Sequence, residues 1–317
     1  MKFTTPVPII SRDPKIDHNS RIFLTGSCFV ENIGDKLDYF KLQNTRNPFG
    51  ILYHPFAIEL LVQNALEKYI YDEDDVFYLN ERWHCFAAHS SLSHADKEVL
   101  LGNLNEGLRI TREQIKNATQ IVITPGTSWV YREVETKRAV ANCHKLPQKN
   151  FTRELSSTEQ IQNSLTNLVS HIHNINSEAA VIFTVSPVRH LKDGVVENQR
   201  SKAHLIAAVH EVVALAPAKL SYFPSYEIMM DELRDYRFYA EDMLHPNKVA
   251  VEYIWQIFVD SWFSKEAPGT LADIDKIQKG LAHRPFNEDS TSHKEFLIQL
   301  ELMIRNIAKK HPHIKFG

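Results

Sequence analysis

Short runs of β-branched and aliphatic residues alternate with stretches of helical periodicity along most of this chain, and that alternation restricts the fold more than any other feature. Strands separated by helices lie parallel, and a parallel sheet is stable only when both its faces are covered. The first run is Arg21 to Thr25, RIFLT, followed by a helical pattern over Glu31 to Leu42 with Ile33, Leu37, Phe40 and Leu42 on one side and Ser27 placed to cap it. A second run, Ile121 to Thr124, ends in Pro125 and Gly126, and a third, Ala180 to Val185, ends in Ser186 and Pro187. Between them Ser156 and Glu159 form a capping-box pattern, ahead of a buried stripe of Ile161, Leu165, Leu168, Val169 and Ile172. A helix around Ser201 to Ala214, a short strand at Leu220 to Phe223 and a helix after Pro246 carrying Tyr253, Ile254, Ile257 and Phe258 complete the series. This order predicts a three-layer α/β/α sandwich around a parallel sheet of about five strands.

Two stretches fit that frame less well. Residues 51–117, with a helix near Ala57 to Tyr69 and irregular segments rich in Trp, His and Phe, read as an insertion. The EAPGT stretch at 266–270 marks a boundary between an α/β domain (1–265) and a helical C-terminal extension (266–317). Within the extension Ser292 and Glu295 cap a helix with Phe296, Leu300, Met303, Ile304 and Ile307 inward.

Composition removes several classes of function. A net charge of −3 and a pI near 6.6 leave no excess of cations for a phosphate backbone, so nucleic acid is not an expected partner. The first twenty residues lack the apolar core of a signal peptide, and no run approaches the ~20 apolar residues of a membrane span, so a cytoplasmic chain is expected. With 10 glycines and neither GxGxxG nor GxxxxGK[ST], the loops that cradle nucleotide phosphates are missing. Cys28, Cys85 and Cys143 are too widely spaced for a disulfide framework or a CxxC metal clip. The neighbours His84 with Cys85 and Cys143 with His144 suggest zinc only if their loops converge, and adjacent strand residues point oppositely.

In an open parallel sheet the carboxyl ends of the strands share one edge, so loops distant in sequence meet there. Three such loops are GSCFV at Gly26 to Val30, PGTSW at Pro125 to Trp129 and DMLHPN at Asp242 to Asn247. Three residues on a turn let Asp242 accept a proton bond from one imidazole nitrogen of His245 while the other faces a nucleophile. A turn ahead of a helix with Pro246 at its first position explains DMLHPN alone; its pairing with GSC after the first strand is what favours chemistry. Arg189 and His190 follow a strand end, and with His144 and Lys145 they are candidates to border a pocket and bind an anionic group; surface solvation is the simpler account of each and is preferred. Asp235 and Arg237 receive no catalytic role.

The strings TGSCFVENIG, NPFGILYHP, TPGTSWVY, NCHKLP, SPVRHLKDG and DELRDYRFYAEDMLHP, in that order across about residues 20–265, resemble the GSCFA-domain family, a bacterial group placed with the SGNH hydrolases. The resemblance implies a flavodoxin-like SGNH sandwich, with a nucleophile in the GDS block after the first strand and a base in the DxxH block. GSC laid over GDS puts Cys28 in the serine position, so Cys28 is the expected nucleophile, with Ser27 the alternative one residue earlier. A helix N-terminus and a nearby His245 would draw a thiol there towards thiolate. The family's oxyanion donors are the nucleophile's own amide, a glycine and an asparagine. Gly50 of NPFG takes the glycine's place, and Gly126, Thr127 and Ser128 stand where the asparagine block falls, with a hydroxyl in place of its amide.

The expectation is an esterase or acyltransferase working on an ester or thioester, by analogy a carbohydrate acyl ester, through a Cys/Ser-His-Asp triad and without metal or organic cofactor. The competing expectation, motivated by the altered GDS and the absent asparagine, is a binding protein that keeps the pocket without turnover.

Overall fold

The computed structural model describes residues 5–316. The chain runs through β1 (Arg21–Gly26), α1 (Phe29–Tyr39), β2 (Gln43–Arg46), α2 (Pro55–Glu67), the hairpin of β3 (Val76–Leu79) and β4 (Arg82–Cys85), α3 (Lys97–Asn117) and β5 (Gln120–Thr124). A second small sheet follows, from β6 (Trp129–Glu133), β7 (Ala139–Val140) and β8 (Phe151–Leu155), and then α4 (Thr158–Ile175), β9 (Ala180–Phe183), α5 (Val195–Leu215) and β10 (Leu220–Tyr222). One helical turn, α6 (Ser225–Glu227), runs into a π-helical turn (Ile228–Glu232) and, through a loop with a 3-10 turn (Tyr236–Phe238), leads to α7 (Lys248–Trp262), α8 (Ala267–Ala282) and α9 (Thr291–Lys310).

The central sheet has five strands in the order β10-β9-β5-β1-β2, all parallel. Counted along the chain this is the doubly wound order 2-1-3-4-5, and its direction reverses between β1 and β5. Alternation along each strand divides the core. Phe23, Ile121, Ile123, Val181 and Phe183 face α2, α3, α4 and α5, while Ile22, Leu24, Val122 and Ile182 face α1, α7 and the start of α8. Each fully buried Ile, Leu or Phe is worth roughly 1.5–3 kcal/mol, which is why the polar edges of the strands follow where these side chains go. No helix among the described residues is long and apolar enough to cross a membrane.

Several local readings shift. The stretch 51–117 supplies two helices of the main layer: Ile58, Leu61 and Val62 of α2 and Leu100, Leu104 and Leu108 of α3 belong to the largest core cluster, and only the β3–β4 hairpin lies between them as an addition. Helix α4 is boxed by Ser157 and Gln160, one residue later than expected, because Ser156 turns inward to His54 with Oγ and Nε2 3.1 Å apart. Helix α9 is capped by Ser290, whose Oγ accepts the His293 amide, and α7 by Asn247, which accepts the Val249 and Ala250 amides. Pro246 therefore stands outside α7. Along the tail, Ala267 and Leu271 join the second main core, whereas Ile274 and Ile277 of α8 pack with Leu300, Ile307 and Ile314 in a small separate cluster.

Candidate functional site

The edge where the sheet reverses direction is built first by Gly26. Its φ of +138° lets β1 leave the sheet beneath β5, and a side chain on it would lie 2.3 Å from the carbonyl oxygen of Thr124. The Gly26 amide donates to Asn47 Oδ1 at 2.9 Å, and the Ser27 amide to Thr124 O at 2.9 Å. Ser27 is thereby turned into the interior, where it lies against Gly126 and its Oγ accepts weakly from the Phe29 amide at 3.4 Å. Cys28 takes the N-cap position of α1, half-buried and with no side-chain cap bond.

The opposing loop owes its shape to Met243, a non-glycine residue at φ +58°, which folds Asp242 and His245 onto one another. Asp242 Oδ1 accepts the amides of Leu244 at 2.9 Å and His245 at 3.0 Å, and Oδ2 lies 2.5 Å from His245 Nδ1. The His245 and Leu244 amides, and after them the imidazole, hold the Asp242 carboxyl down at about 2. A carboxylate so held only accepts, which puts the imidazole proton on Nδ1 and leaves the Nε2 lone pair free. That nitrogen lies 3.7 Å from Cys28 Sγ. The Ala240 amide bonds the His245 carbonyl at 2.8 Å, and the Asn247 amide bonds Phe238 O at 2.9 Å, so both ends of the loop are tied. The structure thus brings Cys28, Asp242 and His245 together and leaves Ser27 buried beside them.

Two expectations about this site change. Burial pushes the Cys28 thiol up from its ordinary value, against the opposing pull of Lys202 and of the Cys28 and Phe29 amides. Desolvation outweighs the pull of the helix terminus. The expected oxyanion donors are also engaged elsewhere. The Gly50 amide donates to Asn47 O at 2.8 Å, and the Gly126 and Thr127 amides share Tyr53 O at 2.7 and 3.2 Å. The Ser128 amide donates to Ser201 Oγ at 2.7 Å, Ser128 Oγ to the Ser201 carbonyl at 2.6 Å, and Thr127 Oγ1 lies 3.1 Å from Ser201 Oγ. At the start of α1 the Phe29 amide reaches Ser27 Oγ, which leaves the Cys28 amide without a partner among these donors.

Helix α5 contributes what the sequence did not single out. Lys202 is fully buried, and its Nζ donates to Gly126 O and Ser186 O, both at 2.7 Å, in the loops that leave β5 and β9. Burial brings this ammonium down to about 7, while Cys28 pulls it up. Asn198 on the same face accepts the His190 amide at 2.8 Å. The available signal was positional: Asn198, Ser201 and Lys202 continue the helical stripe of Leu205, Ala208, Val209 and Val212, polar residues on a face that must be buried.

Of the other residues weighed, His190 reaches the margin of the site, its ring 5.9 Å from that of Tyr53, whereas Arg189 turns to Met230. Asp235 and Arg237 are a loose surface pair at 3.9 Å. The His84 and His144 loops do converge, with ring centroids 4.8 Å apart, but His144 Nε2 is spent on Cys85 O at 2.7 Å. No group of three or more metal-ligating side chains forms among the described residues.

The sequence profile of the GSCFA family matches residues 21–258, and that of the GSCFA domain protein C-terminal domain matches 274–317; the chain belongs to the GSCFA family. No curated protein matches the sequence. Among solved structures the chain is similar to an acetyl xylan esterase (Est2A) from the rumen bacterium Butyrivibrio proteoclasticus, at 11% identity and a TM-score of 0.38 over 81% of this chain. It spans 64% of that esterase chain, and the likeness is too distant to bear on chemistry.

Proposed function

We propose that this GSCFA-family protein is an acyl-transfer enzyme, an esterase or acyltransferase with Cys28 as nucleophile, His245 as general base and Asp242 as the group that orients it. The observation that carries the reading is the line Cys28 Sγ, His245 Nε2 at 3.7 Å and Asp242 Oδ2 at 2.5 Å from Nδ1, placed where the sheet reverses. As Sγ attacks an ester or thioester carbonyl, its proton passes to Nε2 and the carbonyl π pair moves to oxygen. The backbone amide of Cys28 itself is the donor proposed for that oxyanion. Collapse expels the alcohol or thiol, which takes the proton from Nε2, and leaves an acyl thioester on Cys28. Water or a sugar hydroxyl, deprotonated by His245, then releases the acyl group. The chemistry asks for no metal or organic cofactor, and a carbohydrate acyl ester is the substrate class proposed.

A binding protein without turnover is the second reading, favoured by the engaged amides of Gly50, Gly126, Thr127 and Ser128. Turnover of short-chain p-nitrophenyl esters and thioesters by wild type, Ser27→Ala, Cys28→Ala and His245→Ala, with mass spectrometry of trapped adducts, separates the two. The enzyme reading expects an acyl adduct on Cys28 that disappears in His245→Ala. An adduct on Ser27 would move the nucleophile by one residue, and selective ligand binding without any adduct would favour the second reading.

A further inference from the structure

Lys202 is the one fully buried Lys or Arg among the described residues. An ammonium carries three donors; two are taken by the Gly126 and Ser186 carbonyls, which bring no net charge. No carboxylate of the described residues lies within ion-pair distance of it. A buried cation without an anion is strongly disfavoured, and proteins keep one where a negative charge resides or forms. Tyr226 offers a ring face 5.5 Å from Nζ, but burial pushes the phenols of Tyr226 and Tyr53 up, away from anion formation. His190, on the neighbouring loop, opposes the cation, and Glu31, one turn along α1, opposes a charge on Cys28. Lys202 holds Gly126, and Gly126 packs against Ser27, so the adjoining turn is the one that carries the Cys28 thiol, the remaining group able to become an anion.

Building on the acyl-transfer reading, we infer that Lys202 is a positioning residue whose buried charge stabilises the Cys28 thiolate and whose two carbonyl bonds hold the Gly126 loop beneath the Ser27–Cys28 turn. In the activating step the S–H bond breaks, the proton goes to His245 Nε2, and the sulfur's electron pair comes to face the ammonium; no proton moves to or from Lys202. A purely structural lysine would tie the two loops and leave the thiol as it was.

The test is the pH profile of iodoacetamide alkylation at Cys28, followed by peptide mass spectrometry in the full chain, with Cys85 and Cys143 as internal references. Lys202→Met is expected to move the Cys28 midpoint up by more than one pH unit, a loss of roughly tenfold or more in rate near neutrality, with the reference cysteines unchanged. An unchanged Cys28 profile in folded Lys202→Met overturns the inference. If His245→Ala alters the profile while Lys202→Met does not, Lys202 is a structural tie and the Cys28–His245 pair stands. If neither alters it, the activated-thiol reading falls and takes the inference with it. Should Lys202→Met not fold, titration of 13C-labelled lysine serves instead: the Lys202 midpoint is expected to fall in Cys28→Ser, and an identical midpoint overturns the inference.

Discussion

Replacing Gly26 by alanine should damage the protein at the sheet reversal, and the size of the effect follows from the geometry. A Cβ there would lie 2.3 Å from Thr124 O, 2.7 Å from its carbonyl carbon and 2.9 Å from its nitrogen, all backbone atoms of the adjacent strand, which cannot swing aside as a side chain would. A φ of +138° adds a conformation that L side chains rarely adopt. Backbone strain of about 1–3 kcal/mol and overpacking of about 1–3 kcal/mol sum to about 2–6 kcal/mol. Loss of the 2.9 Å Ser27 amide bond to Thr124 would add about 1 kcal/mol. Against a typical total of 5–15 kcal/mol this is a large share, and in urea it corresponds to a midpoint lowered on the order of 1 M. Gly102→Ala in α3, where nothing lies within 4 Å of the added carbon, is the control and should be neutral or slightly stabilising. Urea unfolding followed by circular dichroism is the assay. If Gly26→Ala unfolds within about 0.2 M of wild type, roughly 0.5 kcal/mol, the close approach of β1 to β5 is refuted.

Asp242→Asn keeps an oxygen for the Leu244 and His245 amides but turns an NH2 towards Nδ1, which forces the imidazole proton onto Nε2. Melting should hardly change while ester turnover falls on the order of 10²–10⁴-fold, and equal turnover would remove Asp242 from the mechanism. Asn47→Ala strips the acceptor from the buried Gly26 amide and should cost about 1–3 kcal/mol in chemical denaturation; a neutral result would mean that water reaches that amide. Burial holds His18 and His144 near about 4 and His54 near about 3, so between those values and pH 6.5 the unfolded chain binds protons that the native one refuses. Stability should be full above pH 6.5 and fall as pH drops, by at most about 1.4 kcal/mol per unit for each histidine; a flat urea midpoint between pH 7 and pH 5 contradicts this. Leu300→Asp should expose α9 to limited proteolysis and leave Cys28 alkylation unchanged, because the α8–α9 cluster stands apart from the two main cores; protection equal to wild type would show that α9 is held by other contacts.

The strands that carry the site were legible because Ile22 to Leu24, Ile121 to Ile123 and Ala180 to Phe183 are buried on both faces and read as unbroken apolar runs. Asp242 and His245 were legible from their spacing ahead of a helix start, whereas Cys28, with Ser27 as its alternative, was picked out by the resemblance of GSC to the GDS block after the first strand. The caps were less so: Ser156 with Glu159 and Ser157 with Gln160 satisfy the same pattern, and only the His54 contact decides between them. That the Gly50, Gly126 and Thr127 amides are engaged could not be read, since whether an amide is free depends on which carbonyl lies opposite, and Tyr53 O and Asn47 O are fixed by tertiary packing. Lys202 escaped because a lysine on a helix is ordinarily solvated, and its two acceptors come from loops more than a dozen residues away.

Cys28 and His245, whose sulfur and ring nitrogen meet, are separated by 217 positions of sequence. At roughly 5–20 residues per second on the ribosome, Cys28 emerges on the order of 10–40 s before His245 exists. Throughout that interval the sheet lacks α7, and neither the contact with His245 nor the burial around Cys28 can form. The Cys28–His245 contact is complete only when nearly the whole domain has been made and closed, which makes that single contact a mark of complete folding.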